Sequence, residues 1–272
     1  MIKTLLLSAA LAMSASAGVA EGLEAAEARL DLGVFGGQGA DGLARVTVDT
    51  MTSFRGYGLQ FSATTGLVGV PPDGTKTEAL ADARLILFSR LRPNLTFGTE
   101  VQYSTDPAFG DAEAIFGMRL RYDTGDTVID GRYAMAHMGP TGAFSVTFVL
   151  EEQLTPRIRA SGLIHRYSTD AEIGDYYIVG LGAEMALTDG SFAYGDWMNV
   201  LADDYSYNSN VQTIGLGYNS APGRRYLAGL NRRDTNSAQA IGLTVGVEFG
   251  FGRTGDLFAT DLGGLSLAHL GH

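Results

Sequence analysis

Between about Leu30 and Phe251 almost every stretch of the chain alternates strictly in polarity, and this constrains the fold more than any other feature. Residues 238–252 make the point. Ile241, Leu243, Val245, Val247, Phe249 and Phe251 fall on one face, and Ala240, Gly242, Thr244, Gly246, Glu248 and Gly250 on the other. A period of two is that of an extended strand, with one apolar face and one small or polar face. In a soluble sheet the apolar face would be the core; in a membrane barrel it would be the exterior.

The same pattern repeats along the sequence. Leu95, Phe97, Val101 and Tyr103 alternate with Thr96, Gly98, Glu100 and Gln102; Phe116, Met118, Leu120 and Tyr122 with Gly117, Arg119 and Arg121. Strands are predicted at roughly 30–36, 42–52, 55–66, 80–91, 93–104, 113–123, 127–138, 143–153, 156–167, 176–187, 190–201, 211–219, 223–233 and 238–251. Most are near the ~9–11 residues that a tilted transmembrane strand needs. Two are less regular: 190–201 is mixed on both faces, and 127–138 sets Ile129, Tyr133 and Met135 less cleanly against Asp130 and Arg132. Residues 21–30 read as one helical turn or a loose lead-in.

Connection lengths decide between the two kinds of sheet. Tight turn signals at 92–94, 123–126, 154–156, 188–190 and 220–223 alternate with longer polar loops at 66–81, 104–112, 168–175 and 202–210. A soluble sandwich has no reason to sort loop lengths by end, whereas bacterial outer-membrane barrels have short periplasmic turns and longer outer loops. Tyr103, Tyr122, Tyr167, Tyr176, Tyr177, Tyr218 and Tyr226 fall near strand ends, where an aromatic girdle is expected.

The N-terminus reads as an export signal, with Lys3, an apolar run over residues 5–12, and Ala15, Ser16 and Ala17 as a small-x-small site. Cleavage after Ala17 is favoured over Ala20. There is no cysteine, so an exported chain relies on a large core or a closed hydrogen-bonded barrel rather than on disulfides. The net charge is -11 and Lys3 and Lys76 are the only lysines, which argues against nucleic acid as a partner.

On these residues the chain resembles the porin-like β-barrels of Gram-negative outer membranes over about residues 30–251. The resemblance implies an all-β fold: a transmembrane antiparallel up-and-down barrel of 12–14 strands. The expected organisation is a signal peptide over 1–20, the barrel over 21–251, and a C-terminal extension over 252–272 that such barrels usually lack. The implied partners are outer-membrane lipid, lipopolysaccharide, the barrel-assembly machinery and small hydrophilic solutes. A homo-oligomer is compatible with the sequence, although no strand face marks an interface.

The face opposite lipid is rich in charge. Arg45, Arg84, Arg119, Arg121, Arg157, Arg159 and Arg225, with Asp49, Glu100, Glu151, Glu184 and Glu248, are expected to line a lumen and set its selectivity. The competing expectation is that cross-strand Arg–Glu pairs fill the interior and brace the wall. Catalysis has little support. His165, Ser168 and Asp170 are close in "HRYSTD", but positions three apart in a strand face opposite sides. Asp203 and Asp204 are too few ligands for calcium, and "GVFGGQG" lacks the lysine and helix of a phosphate loop. Arg232 and Arg233 suit lipopolysaccharide phosphates or a snorkelling rim.

No cofactor is expected. Passive solute passage is the leading reading. A closed structural or adhesive barrel is its rival, followed at a distance by an outer-membrane hydrolase and a soluble periplasmic lipid carrier.

Overall fold

A computed structural model describes residues 23–37, 41–54, 57–68, 78–104, 113–138, 141–169, 175–188, 190–202, 208–235 and 239–252. The signal-peptide expectation, the extension beyond Gly252, Asp170 and the Asp203–Asp204 pair lie outside the described residues.

Fourteen antiparallel strands form one closed sheet. In chain order they are β1 (Leu23–Gly37), β2 (Asp41–Phe54), β3 (Tyr57–Val68), β4 (Glu78–Arg92), β5 (Leu95–Ser104), β6 (Glu113–Asp123), β7 (Thr127–Met138), β8 (Thr141–Thr155), β9 (Ile158–Thr169), β10 (Tyr176–Thr188), β11 (Ser191–Ala202), β12 (Asn208–Ala221), β13 (Arg224–Thr235) and β14 (Gln239–Gly252). Each strand pairs with its sequence neighbours, and β1 closes the ring by pairing with β14, for example Leu30 with Val247. Closure leaves no strand edge unpaired, which is the condition for a sheet to cross hydrocarbon.

The first strand corrects the sequence reading. Residues from Leu23 are extended, not helical, because they lie between β2 and β14. The alternation of Ala26, Ala28 and Leu30 with Glu27, Arg29 and Asp31 was already strand-like, and the pairing register carries it into the wall. Fourteen replaces the range of twelve to fourteen.

Outward positions carry the apolar set. Leu120, Phe148, Leu181, Ile214, Leu230, Leu243 and Phe251 are among many large hydrophobic side chains exposed on the outside. Burying one such side chain is worth roughly 1.5–3 kcal/mol. Even a handful left in water would offset a typical folding stability of ~5–15 kcal/mol. The belt therefore belongs in lipid, and the chain is a transmembrane barrel of the outer-membrane type.

The longest connections all fall at one end, such as those from Val68 to Glu78 and from Ser104 to Glu113. Arg92 and Leu95, Thr155 and Ile158, and Ala221 and Arg224 are joined by tight turns at the other, where Phe54 and Tyr57 are also separated by only two residues in sequence. Leu23 and Gly252 both lie at the turn end. Gly223 shows how tight these turns are: its φ is +71°, and a Cβ there would sit 2.0 Å from the carbonyl oxygen of Gly250.

Glycines on inward faces serve a different purpose. The rings of Phe88 and Phe192 lie over Gly58 and Gly217 on the neighbouring strand, so closely that a Cβ at either glycine would come within 2.1 Å of a ring carbon. Tyr194 covers Gly215 and reaches with its hydroxyl to Gly229 one strand further on. Aromatic side chains thus lie flat along the inner wall where glycine gives them room.

Candidate functional site

The inward faces divide into two regions of different character. In the first, on β1–β7, the charges are saturated by one another. Arg45 Nη2 donates to Asp31 Oδ2 at 2.8 Å, and Arg29 Nε to Asp31 Oδ1 at 2.9 Å. Asp49, also buried, accepts a hydrogen bond from the Ser62 hydroxyl across the β2–β3 pair. Glu100 on β5 is the centre of a larger network. It accepts from Arg119 Nε at 2.5 Å and from Arg132 Nε, with Arg84 Nε 4.0 Å away.

Gln102 completes this network. Its Oε1 accepts from Arg84 Nη2 at 3.1 Å and Arg132 Nη2 at 2.7 Å, and its amide donates to Asp82. Asp130 faces Arg119 at 3.7 Å. Three guanidiniums thus surround Glu100, with Asp130 beside Arg119 and Asp82 joined through Gln102. The Glu100 side chain occupies the space over Gly117, where a Cβ would stand 2.7 Å from Oε1. Arg121, at the turn end of β6, is held by Asp123 at 3.1 Å.

The second region spans β8–β14 and continues onto Arg29 of β1. At the turn end it borders a cavity of about 200 Å³, lined by Arg29, Glu151, Arg159, Ser161, Glu184, Tyr194, Asp196, Arg225, Leu227 and Glu248. Arg225 reaches Glu184 at 2.5 Å and Glu248 at 3.4 Å, and its guanidinium lies over the Phe192 ring at 4.5 Å. Arg159 pairs with Glu151 at 3.2 Å, and Arg29 with Glu248 at 3.3 Å. Solvent exposure separates the two regions. The side chains of Glu100, Arg119 and Arg45 are 0%, 3% and 2% exposed, against 54%, 34% and 36% for Arg159, Arg225 and Glu184.

Towards the loop end, this second wall turns apolar. Val149, Leu163, Ile178, Met198, Val200 and Val211 form a buried inward cluster, with Tyr176 packed against it. Tyr176 stacks on Tyr167 at 4.9 Å between ring centroids. These two tyrosines face inward rather than joining the outer girdle, to which Tyr103, Tyr122, Tyr218 and Tyr226 are exposed. His165 is buried beside them, 2.8 Å from the Thr147 hydroxyl. Ser168 instead bonds Asp175 at 2.7 Å, and strand parity places it on the face opposite His165.

Of the residues expected to line the lumen, Arg45, Arg84, Arg119, Arg121, Asp49 and Glu100 lie in the saturated region. Arg159, Arg225, Glu151, Glu184 and Glu248 border the cavity. Arg157 sits in the tight turn after β8, exposed at the rim. Sequence reasoning missed Arg29, because β1 begins earlier than expected, and it left out Asp31 although that residue lay within the expected first strand. Arg132 and Asp130 were visible as the polar positions of β7, and Tyr194 and Asp196 lay in the strand read as mixed.

No protein-family model matches the sequence, and no curated protein does. Solved structures match by fold. Salmonella typhi OmpF in complex with daunomycin superposes with a TM-score of 0.56 at 8% identity, over 85% of this chain and 98% of that one. A bacterial polysaccharide outer membrane secretin gives 0.55 at 10% identity, over 83% and 98%. An anion-selective porin from Comamonas acidovorans gives 0.51 at 10% identity, over 84% and 100%. The chain has the fold of porin-like outer-membrane barrels.

Proposed function

We propose that the protein is a porin-like channel of the Gram-negative outer membrane that lets small hydrophilic solutes diffuse passively. The observation that carries this reading is the cavity inside the second region, where Arg159, Arg225, Glu151 and Glu184 stay partly solvated within a closed barrel. Half-solvated charges of both signs in a confined lumen act on passing solutes through their field, and desolvated, saturated ones do so only weakly. No chemical step is part of this reading.

The rival, a closed structural or adhesive barrel, draws on the saturated network around Glu100 and the apolar cluster of β8–β12. Arg232 points outward at the loop end of β13, paired with Asp234 at 2.9 Å, and suits contact with lipopolysaccharide phosphates. Single-channel recording in a planar bilayer, on detergent-extracted protein whose gel mobility shifts on boiling, separates the two readings. Stable ohmic steps are expected. A folded, heat-modifiable protein that never conducts would transfer the assignment to the closed barrel.

A further inference from the structure

Two oxygens in the cavity converge on a point with no side chain of its own. A Cβ placed on Gly182 of β10 would lie 2.5 Å from Ser161 Oγ and 2.6 Å from Asp196 Oδ1, so both atoms lean over this glycine from the strands on either side. Neither side chain has a hydrogen bond or ion pair among the described residues, and the charges acting on Asp196 are Arg29 and Glu184. Every other carboxylate bordering the cavity is paired with an arginine. One carboxylate and one hydroxyl thus remain open to the cavity and present oxygens to the same small volume.

Arg159 is the complementary pole. It is more than half exposed and spends one contact on Glu151, while a guanidinium has five N–H donors. It stands on β9, one inward position from Ser161 and two strands from Asp196, or roughly 10 Å across the wall at ~4.8 Å per strand. The Arg159 side chain, more than half exposed and tied only to Glu151 of β8, is long enough to swing across part of that span. The gap that remains suits the short distance between ammonium and carboxylate in an α-amino acid. The volume agrees, since ~300–1,000 Å³ is typical of drug-sized ligands and this cavity is smaller.

Resting on the channel reading above, we infer that the cavity is a transient binding site for small zwitterions of amino-acid size, with the ammonium at Asp196 and Ser161 and the carboxylate at Arg159. A solute with a single charge meets one favourable pole and one opposed one. A neutral polyol gains from neither. A site that is weak but selective raises flux at low concentration without trapping the solute.

The test compares L-serine with erythritol, ethanolamine and lactate in swelling and uptake assays on proteoliposomes of the full-length chain, with KCl conductance recorded in parallel. At low concentration serine is expected to enter roughly threefold faster than erythritol, about the effect of a solvated ion pair. Asp196→Asn and Arg159→Gln should each bring that ratio to about one. Arg159 is exposed, so its variant keeps the test valid if Asp196→Asn fails to fold. Normal KCl conductance with equal serine and erythritol entry overturns the inference and leaves the channel intact. Faster entry of ethanolamine than serine overturns it in favour of a cation site. Absence of any conductance overturns the channel reading itself.

Discussion

The two halves of the inner wall use the same residue types for different ends. On β4–β7 the guanidiniums of Arg84, Arg119 and Arg132 are buried around the one carboxylate of Glu100. On β8–β14 Arg159, Arg225, Glu151 and Glu184 are paired as well, yet water reaches them. The presence of an ion pair therefore says little about its role. Desolvation does, because a buried pair resists the loss of either partner, while a solvated one contributes little to stability and keeps its field. The first half braces the wall and the second addresses what enters it.

The largest effect is expected at the centre of the braced half. Glu100→Ala leaves three guanidiniums around an empty position, which should cost about 3–5 kcal/mol. The readout is a lower temperature for the heat-induced gel shift, and an unchanged temperature would break the distinction between the halves. A smaller loss, about 1–3 kcal/mol, is expected for Gly217→Val, whose side chain would occupy the place of the Phe192 ring. If this variant also moves Arg225 off Phe192, ion selectivity should change along with stability. The smallest structural effect belongs to the solvated half. Glu184→Gln should stay within about 1 kcal/mol of the parent in stability, while reversal-potential measurements under a KCl gradient shift towards anions. A large stability loss there would mean that the second half is braced like the first.

Much of the fold could be read from the sequence because lipid imposes a simple rule on it. Where the outward face meets hydrocarbon and the inward face is polar, as on β5, β6 and β14, period-two alternation is complete and the strand is plain. The rule fails on β11, and for a physical reason. Its inward face is apolar at Phe192, Met198 and Val200, while its outward face carries Ala193, Gly195 and Asn199. A strand that lines an apolar part of the interior loses the polarity contrast that reveals strands. The luminal charges were legible as residues, but their division into buried and solvated sets was not. That division depends on contacts between β5, β6 and β7, and on the reach of Arg225 to Glu184 across β11 and β12. Such contacts follow from register and shear, which no local pattern encodes.

The seam between β1 and β14 has a consequence for how the molecule is made. It joins strands from nearly opposite ends of the chain, and both meet it at the turn end. Of all the pairings in the wall, this one closes the longest loop and bears the largest entropic cost, so it is the natural last step of assembly. Until it forms, two strand edges stand open, and any copy that has lost its first or last strand retains them permanently. Completion of this wall therefore comes down to a single event, the meeting of β1 with β14.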